Sequence, residues 1–452
     1  MGLNRDTTVV RIPLRSAKHH FGVSVTRGQR PYNEDSYQAG VIGLPAFAKR
    51  SPISITRAPA TSPLQAYRER QRQSQEQSEA KKPADNVAES GVAAGGAGGD
   101  PQVFYFGVFD GHGGAECSGF LRESLHEYIE TAAKDFCLGS SLRPANQDAF
   151  SPAQSKRVAQ LEEDLIKSWR DLVGGYFRRF KPTLFSQSSS AAAATSIDTV
   201  MTYAFLRADY EFVHAQARKS DSDADLVVSD APLNASDVLD SPSTQLGGPK
   251  RFQGGSTCSV ALISTPSPTP FWHPSAHASL LVAHVGDTRI ILCRTADGAA
   301  CPVTSTHHPS NASEGQRLRR YAGNFVTDSF GEERMSGLAN TRAFGDMASK
   351  RIGVSAEPEI RRLELRPAEF AFIVLVSDGV SATLSDQEIV DIVKEAKTPE
   401  LGARDVVGFA SEVSRDGDNA TAIVVRMGGW ERREEGGGGS MGTREQRVWR
   451  RE

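Results

Sequence analysis

The apolar residues of this 452-residue chain gather in short, nearly continuous runs separated by long polar stretches. Residues 103–109, VFYFGVF, form the clearest run. It is rich in β-branched and aromatic residues and stops at DGHGG, which predicts a buried strand ending in a tight turn. Comparable runs predict strands at 9–15, 21–25, 36–42, 256–264, 280–285, 290–294, 370–377 and 421–426. Helical spacing of apolar positions predicts helices at 114–133, 158–180, 197–217, 385–395 and 403–414. Residues 301–345 follow neither period and read as a loop-rich stretch carrying many Arg and Gly. Strands come in runs and helices in runs, without alternation. The expected class is therefore α+β, with antiparallel sheets flanked by helices rather than a doubly wound sheet.

The polar stretches divide the chain differently. Residues 49–100 are polar, repetitive and Gly/Ala-rich, and residues 218–250 are a second polar segment. Neither can bury enough apolar surface to order itself, so both are expected to be insertions, the first disordered. The SQSSSAAAATS run at 186–196 reads as a linker, and 431–452 as a disordered tail. What remains is expected to be one domain spanning 16–430. The composition agrees: 38% hydrophobic residues with 41 Gly and 23 Pro suit one large domain diluted by loops.

Charge and cysteine content narrow the class. A formal net charge of −3 gives no bulk electrostatic case for a nucleic-acid partner. The five cysteines are scattered, odd in number and without CxxC, which fits a reducing intracellular compartment better than a disulfide framework. No apolar run approaches the ~20 residues of a membrane span. The N-terminus lacks the apolar core of a secretory signal, so the protein is not expected to be secreted. Without such a signal the sequons at Asn234, Asn311 and Asn419 carry no weight. Asp6 stands where a myristoylation signal needs Ser or Thr. Arg5, Arg11, Arg15 and Lys18 make a mildly basic leader, compatible with a mitochondrial presequence or a basic first strand. The expected location is the cytoplasm or the mitochondrion.

Candidate chemistry sits at the strand ends. Asp110 closes the 103–109 run, Asp378 closes 370–377, Asp418 precedes the last strand, and Glu34-Asp35 follow the first ones. Any one of these reads as an ordinary turn or cap residue. Together they resemble a hard-oxygen site for Mg²⁺ or Mn²⁺. No Cys/His set has zinc spacing, and the adjacent His307-His308 read as solvated loop residues. There is no GxxxxGK[ST], and no GxGxxG convincingly follows a strand, which argues against an ATPase or a dinucleotide enzyme. Two metals ~3.5–4 Å apart can activate water for in-line attack at phosphorus. Such a site also needs a cation for the phosphoryl oxygens and an acid for the leaving group. Arg30 and His112 are the candidates because each adjoins a carboxylate motif. Alone, each is more often a surface charge or a structural residue.

The ordered motifs RPYNED, VFDGHGG, GGSTCSVALI, HVGDTRIIL, LANTRAFGD, FIVLVSDG and GDNATAIVV resemble those of the metal-dependent type 2C protein serine/threonine phosphatases. The resemblance runs from about residue 21 to 427, omitting the insertions. It implies a four-layer αββα sandwich of two antiparallel sheets, with a binuclear metal site at one end. It further implies that Asp110 bridges two Mg²⁺ or Mn²⁺ ions, with the Gly111 carbonyl on one and Asp378 and Asp418 on the other. Glu34 and Asp35 would hold metal-bound waters, Arg30 the substrate phosphate, and His112 would protonate the departing serine or threonine oxygen. Gly255, Ser256, Thr257, Asp346 and Asn419 would be supporting residues, and residues 308–345 a flap beside the site. The implied substrate is a phosphoprotein, and the expected state a monomer.

The chain departs from the family pattern in three places. His307 stands where an Asp is common, and Ala322-Gly323 replaces Gly-Gly. The family often has a carboxylate four residues after its Asp-Gly, where this chain has Ala382. A third metal, for which Asp287 would be a ligand, is the site this loss touches. Two alternatives compete with the phosphoprotein phosphatase: a pseudophosphatase scaffold without metals, and a hydrolase of small phosphoesters. The retained Asp110, Asp378 and Asp418 favour the enzyme.

Overall fold

The computed structural model describes residues 20–50, 99–143, 152–185, 196–219, 246–248, 250–319, 325–327, 333–335, 338–414 and 417–433. Strands β1 (Phe21–Thr26), β2 (Ser36–Ile42), β3 (Val103–Phe109) and the two-residue β4 (Gly111–His112) come first. Helices α1 (Glu116–Asp135), α2 (Pro152–Val173) and α3 (Ile197–Ala217) follow. A run of strands comes next: β5 (Gly255–Ser256), β6 (Cys258–Ser264), β7 (Ala278–Val285), β8 (Arg289–Arg294) and β9 (Ala300–Pro302). Helix α4 (Ala312–Leu318), the hairpin β10 (Phe325–Thr327) and β11 (Glu333–Met335), β12 (Phe344–Gly345) and α5 (Met347–Lys350) occupy the middle. The chain continues through β13 (Glu359–Leu365), β14 (Phe370–Val376), α6 (Asp378–Ser381), α7 (Asp386–Glu395), α8 (Pro399–Val413) and β15 (Ala420–Arg426).

Two five-stranded sheets carry the fold, in the orders β1-β15-β14-β8-β9 and β13-β7-β6-β3-β2, and all their pairings are antiparallel. Strand β3 shows why its sequence reads as an unbroken apolar run. Phe104, Phe106 and Val108 point between the sheets, where Ile290, Leu292, Ile373 and Ile423 meet them. Val103, Tyr105 and Phe109 point the other way, onto Leu121, Leu125, Trp169 and Phe205 of α1–α3. With both faces buried, no polar alternation survives. The far face of the other sheet, through Val374, Val376 and Val424, packs on Ile389, Val393 and Val406 of α7 and α8. The layers are thus α, β, β, α, as the resemblance implies.

Local signals place the helix ends. Ser385 starts α7 with a capping box: its hydroxyl accepts the Glu388 N–H, and the Glu388 carboxylate accepts the Ser385 N–H. Thr398 caps α8, and Pro399 takes the first helical position, so this helix begins four residues before the expected 403. Helix α2 ends at Val173, short of the expected 180, because Gly174 and Gly175 both adopt positive φ (66° and 52°). A 3₁₀ turn, Gly175–Arg178, replaces the last helical turns.

The region 301–345 is more ordered than its composition suggests, holding part of β9, all of α4 and the β10–β11 hairpin. Strand β13 went unforeseen because EIRRLEL is charged; it is a sheet-edge strand, where Arg361 and Arg362 face solvent. The expected strand at 9–15, and most of the 49–100, 186–196, 218–250 and 431–452 segments, lie outside the described residues. The flanks of the second polar segment meet each other: Lys219 Nζ donates to the carbonyls of Leu246 and Gly248, both at 2.5 Å.

Candidate metal centre

The ends of β3 and β14, the β7–β8 turn and the start of β15 open onto one groove of about 1170 Å³. Asp110 follows β3. Its carbonyl accepts the Thr257 N–H at 2.8 Å and the Ser256 hydroxyl at 3.1 Å, so the GST segment holds its backbone. Its carboxylate accepts the N–H of Asp378, at the start of α6, at 3.2 Å. Asp287 sits in the β7–β8 turn, and carboxylate oxygens of Asp110, Asp287 and Asp378 lie within 4.8 Å of one another. Gly111 must be glycine here, since a Cβ would come 2.5 Å from the Glu34 carbonyl.

The acidic pair after β1 is held from across the sandwich. Asp35 Oδ2 accepts the Ser377 hydroxyl at 2.8 Å and the Thr421 hydroxyl at 2.7 Å. The Glu34 N–H donates to Asn419 Oδ1 at 2.8 Å, and Asn419 Nδ2 donates to the carbonyls of Arg27 and Tyr32, each at 2.9 Å. Ser377 adjoins Asp378 and Asn419 adjoins Asp418, while Thr421 lies three residues past Asp418; of these the sequence marks only Asn419. The contacts of the other two span more than 300 residues, and nothing local marks them.

Electrostatically the cluster has His308 beside Asp287, but neither Asp110 nor Asp378 pairs with a Lys or Arg among the described residues. Burial, reinforced by the charges of Asp378, Asp35 and Asp287, pushes the Asp110 carboxyl well above the usual range. Burial, with the charge of Asp287, pushes Asp378 up to about 7. Burial pushes Asp35 up to about 6 against the hydrogen bonds from Thr421 and Ser377. Asp287 moves the other way: burial opposes the shift, but the hydrogen bond and charge of His308 prevail and hold it low. Asp35 Oδ1 and Asp287 Oδ1 are buried without a hydrogen-bond partner among the described residues. Clustered, under-compensated carboxylate oxygens are the donor set a hard divalent cation needs, so these residues fit such an ion.

The remaining predicted residues surround this cluster. Asp418 turns toward Arg30, with Oδ2 at 2.9 Å from the guanidinium. Both partners are well exposed, so the pair is worth roughly 0–1 kcal/mol and separates easily. His112 Nε2 bonds Asp346 Oδ1 at 2.8 Å. Burial works against its imidazolium, but the Asp346 hydrogen bond and charge outweigh it and raise the His112 pKa. The expectation of solvated loop residues at 307–308 fails for His307, while His308 stays in the loop and partly exposed. His307 is buried, stacks on His284 and accepts the Gly286 N–H through Nδ1 at 3.0 Å. His308 Nε2 lies 3.2 Å from Asp287 Oδ2. The pair thus braces the turn carrying Asp287.

The family model for protein phosphatase 2C matches residues 189–416. Protein phosphatase 2C homolog 4 of Schizosaccharomyces pombe is 32% identical over 333 residues, covering 73% of this chain and 72% of the relative. A Xenopus laevis protein named protein phosphatase 1K, mitochondrial, is 39% identical over 153 residues, which are 33% of this chain and 40% of the relative. Among solved structures, a serine-threonine phosphatase 2C from Toxoplasma gondii shares the fold, with a TM-score of 0.50 at 16% identity over 90% of this chain and 94% of that one. With the family model and a relative matched across most of both chains in agreement, this chain belongs to the protein phosphatase 2C family, the metal-dependent protein serine/threonine phosphatases.

Proposed function

We propose that this phosphatase holds two Mg²⁺ or Mn²⁺ ions at the Asp110 cluster and dephosphorylates phosphoserine and phosphothreonine in the adjoining groove. The observation that supports this most is the meeting of Asp110, Asp287 and Asp378, with no Lys or Arg paired to Asp110 or Asp378 among the described residues. In this reading Asp110, the Gly111 carbonyl, Asp378 and Asp418 would hold the ions. Glu34 and Asp35 hold the surrounding waters. Divalent cations bound there would supply Lewis acidity and make water at the site more acidic. Arg30 exchanges its exposed bond to Asp418 for the substrate phosphate. His112, held through Nε2 by Asp346, has Nδ1 left to deliver a proton to the leaving oxygen. Ser256 and Thr257 fix the Asp110 backbone beside Gly255, and Asn419 fixes Glu34.

The same reading treats 16–430 as one domain with two insertions, working as a monomer. Among the described residues no helix is long and apolar enough to cross a membrane. The Xenopus relative's name places that protein in mitochondria; for this chain the mitochondrion stands beside the cytoplasm as a proposal. The test of function is turnover after chelation and re-addition of Mn²⁺ or Mg²⁺, on phosphopeptides and on a panel of small phosphoesters. Metal-restored, phosphopeptide-selective hydrolysis is expected. Turnover indifferent to metal would remove the two-ion reading, and preference for a small ester would replace the substrate.

A third ion, if it joins Asp287 and Asp378, is expected to bind weakly. Ala382 ends the α6 turn, lines the groove and offers no oxygen there. Ala382→Asp is therefore expected to strengthen the weak class of Mn²⁺ binding and to raise turnover at limiting metal, with the tight class unchanged. Calorimetric titration and metal-dependent rates check this. A folded variant with the parent's metal dependence would show that the missing carboxylate plays no part.

A further inference from the structure

A buried ion pair lies behind the groove, in none of the roles given above. Asp209 on α3 and Lys350 at the end of α5 are both completely buried. Lys350 Nζ donates to Asp209 Oδ2 at 2.5 Å and to the Ala343 carbonyl at 2.7 Å. It also lies 5.8 Å from the Trp169 ring centroid. Asp209 Oδ1 accepts the Gly345 N–H at 2.9 Å. The pair therefore grips residues 343 and 345, on either side of Phe344. The next residue is Asp346, the partner of His112.

Gly345 and Asp346 both take positive φ, 72° and 44°. A non-glycine residue in that region is uncommon and persists only where its surroundings over-determine it. The Asp346 N–H donates to the Gly254 carbonyl at 2.9 Å, but the two bonds from the buried pair hold the chain leading into the turn. Stability is a poor explanation for the pair, because dehydrating two charges costs about what their attraction returns, and apolar residues of like size pack as well. Holding one backbone path is the better one.

We propose that Asp209 and Lys350 are positioning residues that clamp the segment 343–345 and so aim Asp346 at His112. This deepens the proposed function and rests on its reading of His112 as the group that protonates the leaving oxygen. The clamp touches neither substrate nor metal ligand. It acts only by keeping the imidazole where its free nitrogen meets that oxygen.

The test is a mutant cycle in the full-length, Mn²⁺-loaded enzyme. Asp209→Leu with Lys350→Met removes both charges together, leaves no orphaned ion and frees that segment. Circular dichroism and a thermal melt confirm folding. On a phosphoserine peptide kcat is expected to fall about 10–100-fold with KM within about twofold, while an aryl phosphate loses less than about threefold. Added to His112→Ala, the same change is expected to cost less than about twofold more, since its target is already gone. Additive losses in that background would overturn the clamp. Equal losses of His112→Ala on the two substrates would instead remove the acid role, a separate result. Should the double variant not fold, Asp209→Asn, which keeps the shape and gives up one acceptor, goes through the same cycle and is judged by the same outcomes.

Discussion

Asp110→Asn is expected to lower phosphopeptide turnover by on the order of 10³-fold or more, the several kcal/mol of transition-state stabilisation a catalytic metal centre supplies. The reason is its place in the cluster. Asp110 is half-buried, meets Asp287 and Asp378 within 4.8 Å, and has its backbone held by Ser256 and Thr257. The amide keeps the shape and the hydrogen bond from the Asp378 N–H while removing the central negative charge. Near-normal turnover by the folded variant would remove the binuclear reading.

The same substitution carries a second, opposite signature in the metal-free protein. Asp378 at about 7 and Asp35 at about 6 lie above their unfolded values, so the folded state binds protons more readily there. Their stability contribution is complete below about pH 4 and is lost as pH rises through about 6–7. Above that range the apo protein holds repelling, desolvated carboxylates. Asp110→Asn relieves part of this and is expected to stabilise the chelated protein at pH 8 by on the order of 1–3 kcal/mol. Added Mn²⁺ is expected to raise the melting temperature of the parent and to do little for the variant. Melts with chelator and with Mn²⁺ separate these effects. A variant that loses stability under chelation would mean that Asp110 is a structural residue rather than a frustrated ligand.

What the sequence revealed follows from how local each signal is. The strands buried on both faces, β3, β14 and β15, were legible as apolar runs because every side chain meets a core. Strand β13 was not, since its outer positions carry Arg361 and Arg362 at a sheet edge. The acids at strand ends stood out because a carboxylate closing an apolar run is conspicuous. Their partners did not: Ser377 and Thr421 reach Asp35 only after the chain has folded across the sandwich. His307-His308 looked like loop residues because the stretch around them is polar. The stacking on His284 and the bond to Asp287 depend on the β7–β8 turn arriving from another part of the chain. Nor did spacing show that Asp418 pairs with Arg30, 388 residues away, while Asp287 sits with Asp110 and Asp378.

His112→Ala is expected to slow hydrolysis of a phosphoserine peptide by about 10²–10⁴-fold, the usual range for general acid help. An aryl phosphate is expected to lose far less. The difference lies in the leaving group: an alkoxide must receive a proton as the P–O bond breaks, whereas a phenolate departs with little help. The geometry supports this assignment. His112 Nε2 is taken by Asp346 at 2.8 Å, so the proton for transfer sits on Nδ1. Although burial disfavours the charged ring, the Asp346 hydrogen bond and charge raise its pKa, so the acid form persists toward higher pH than for a free histidine. Two measurements follow: the ratio of rates on the two substrates, and the pH dependence of kcat on the peptide. In the parent, peptide turnover is expected to fall on the alkaline side as His112 loses its proton. In His112→Ala that limb should vanish, leaving a low, flatter profile. Equal losses on both substrates, or an alkaline limb that survives the substitution, would assign the proton to another group and leave His112 as a residue that shapes the groove.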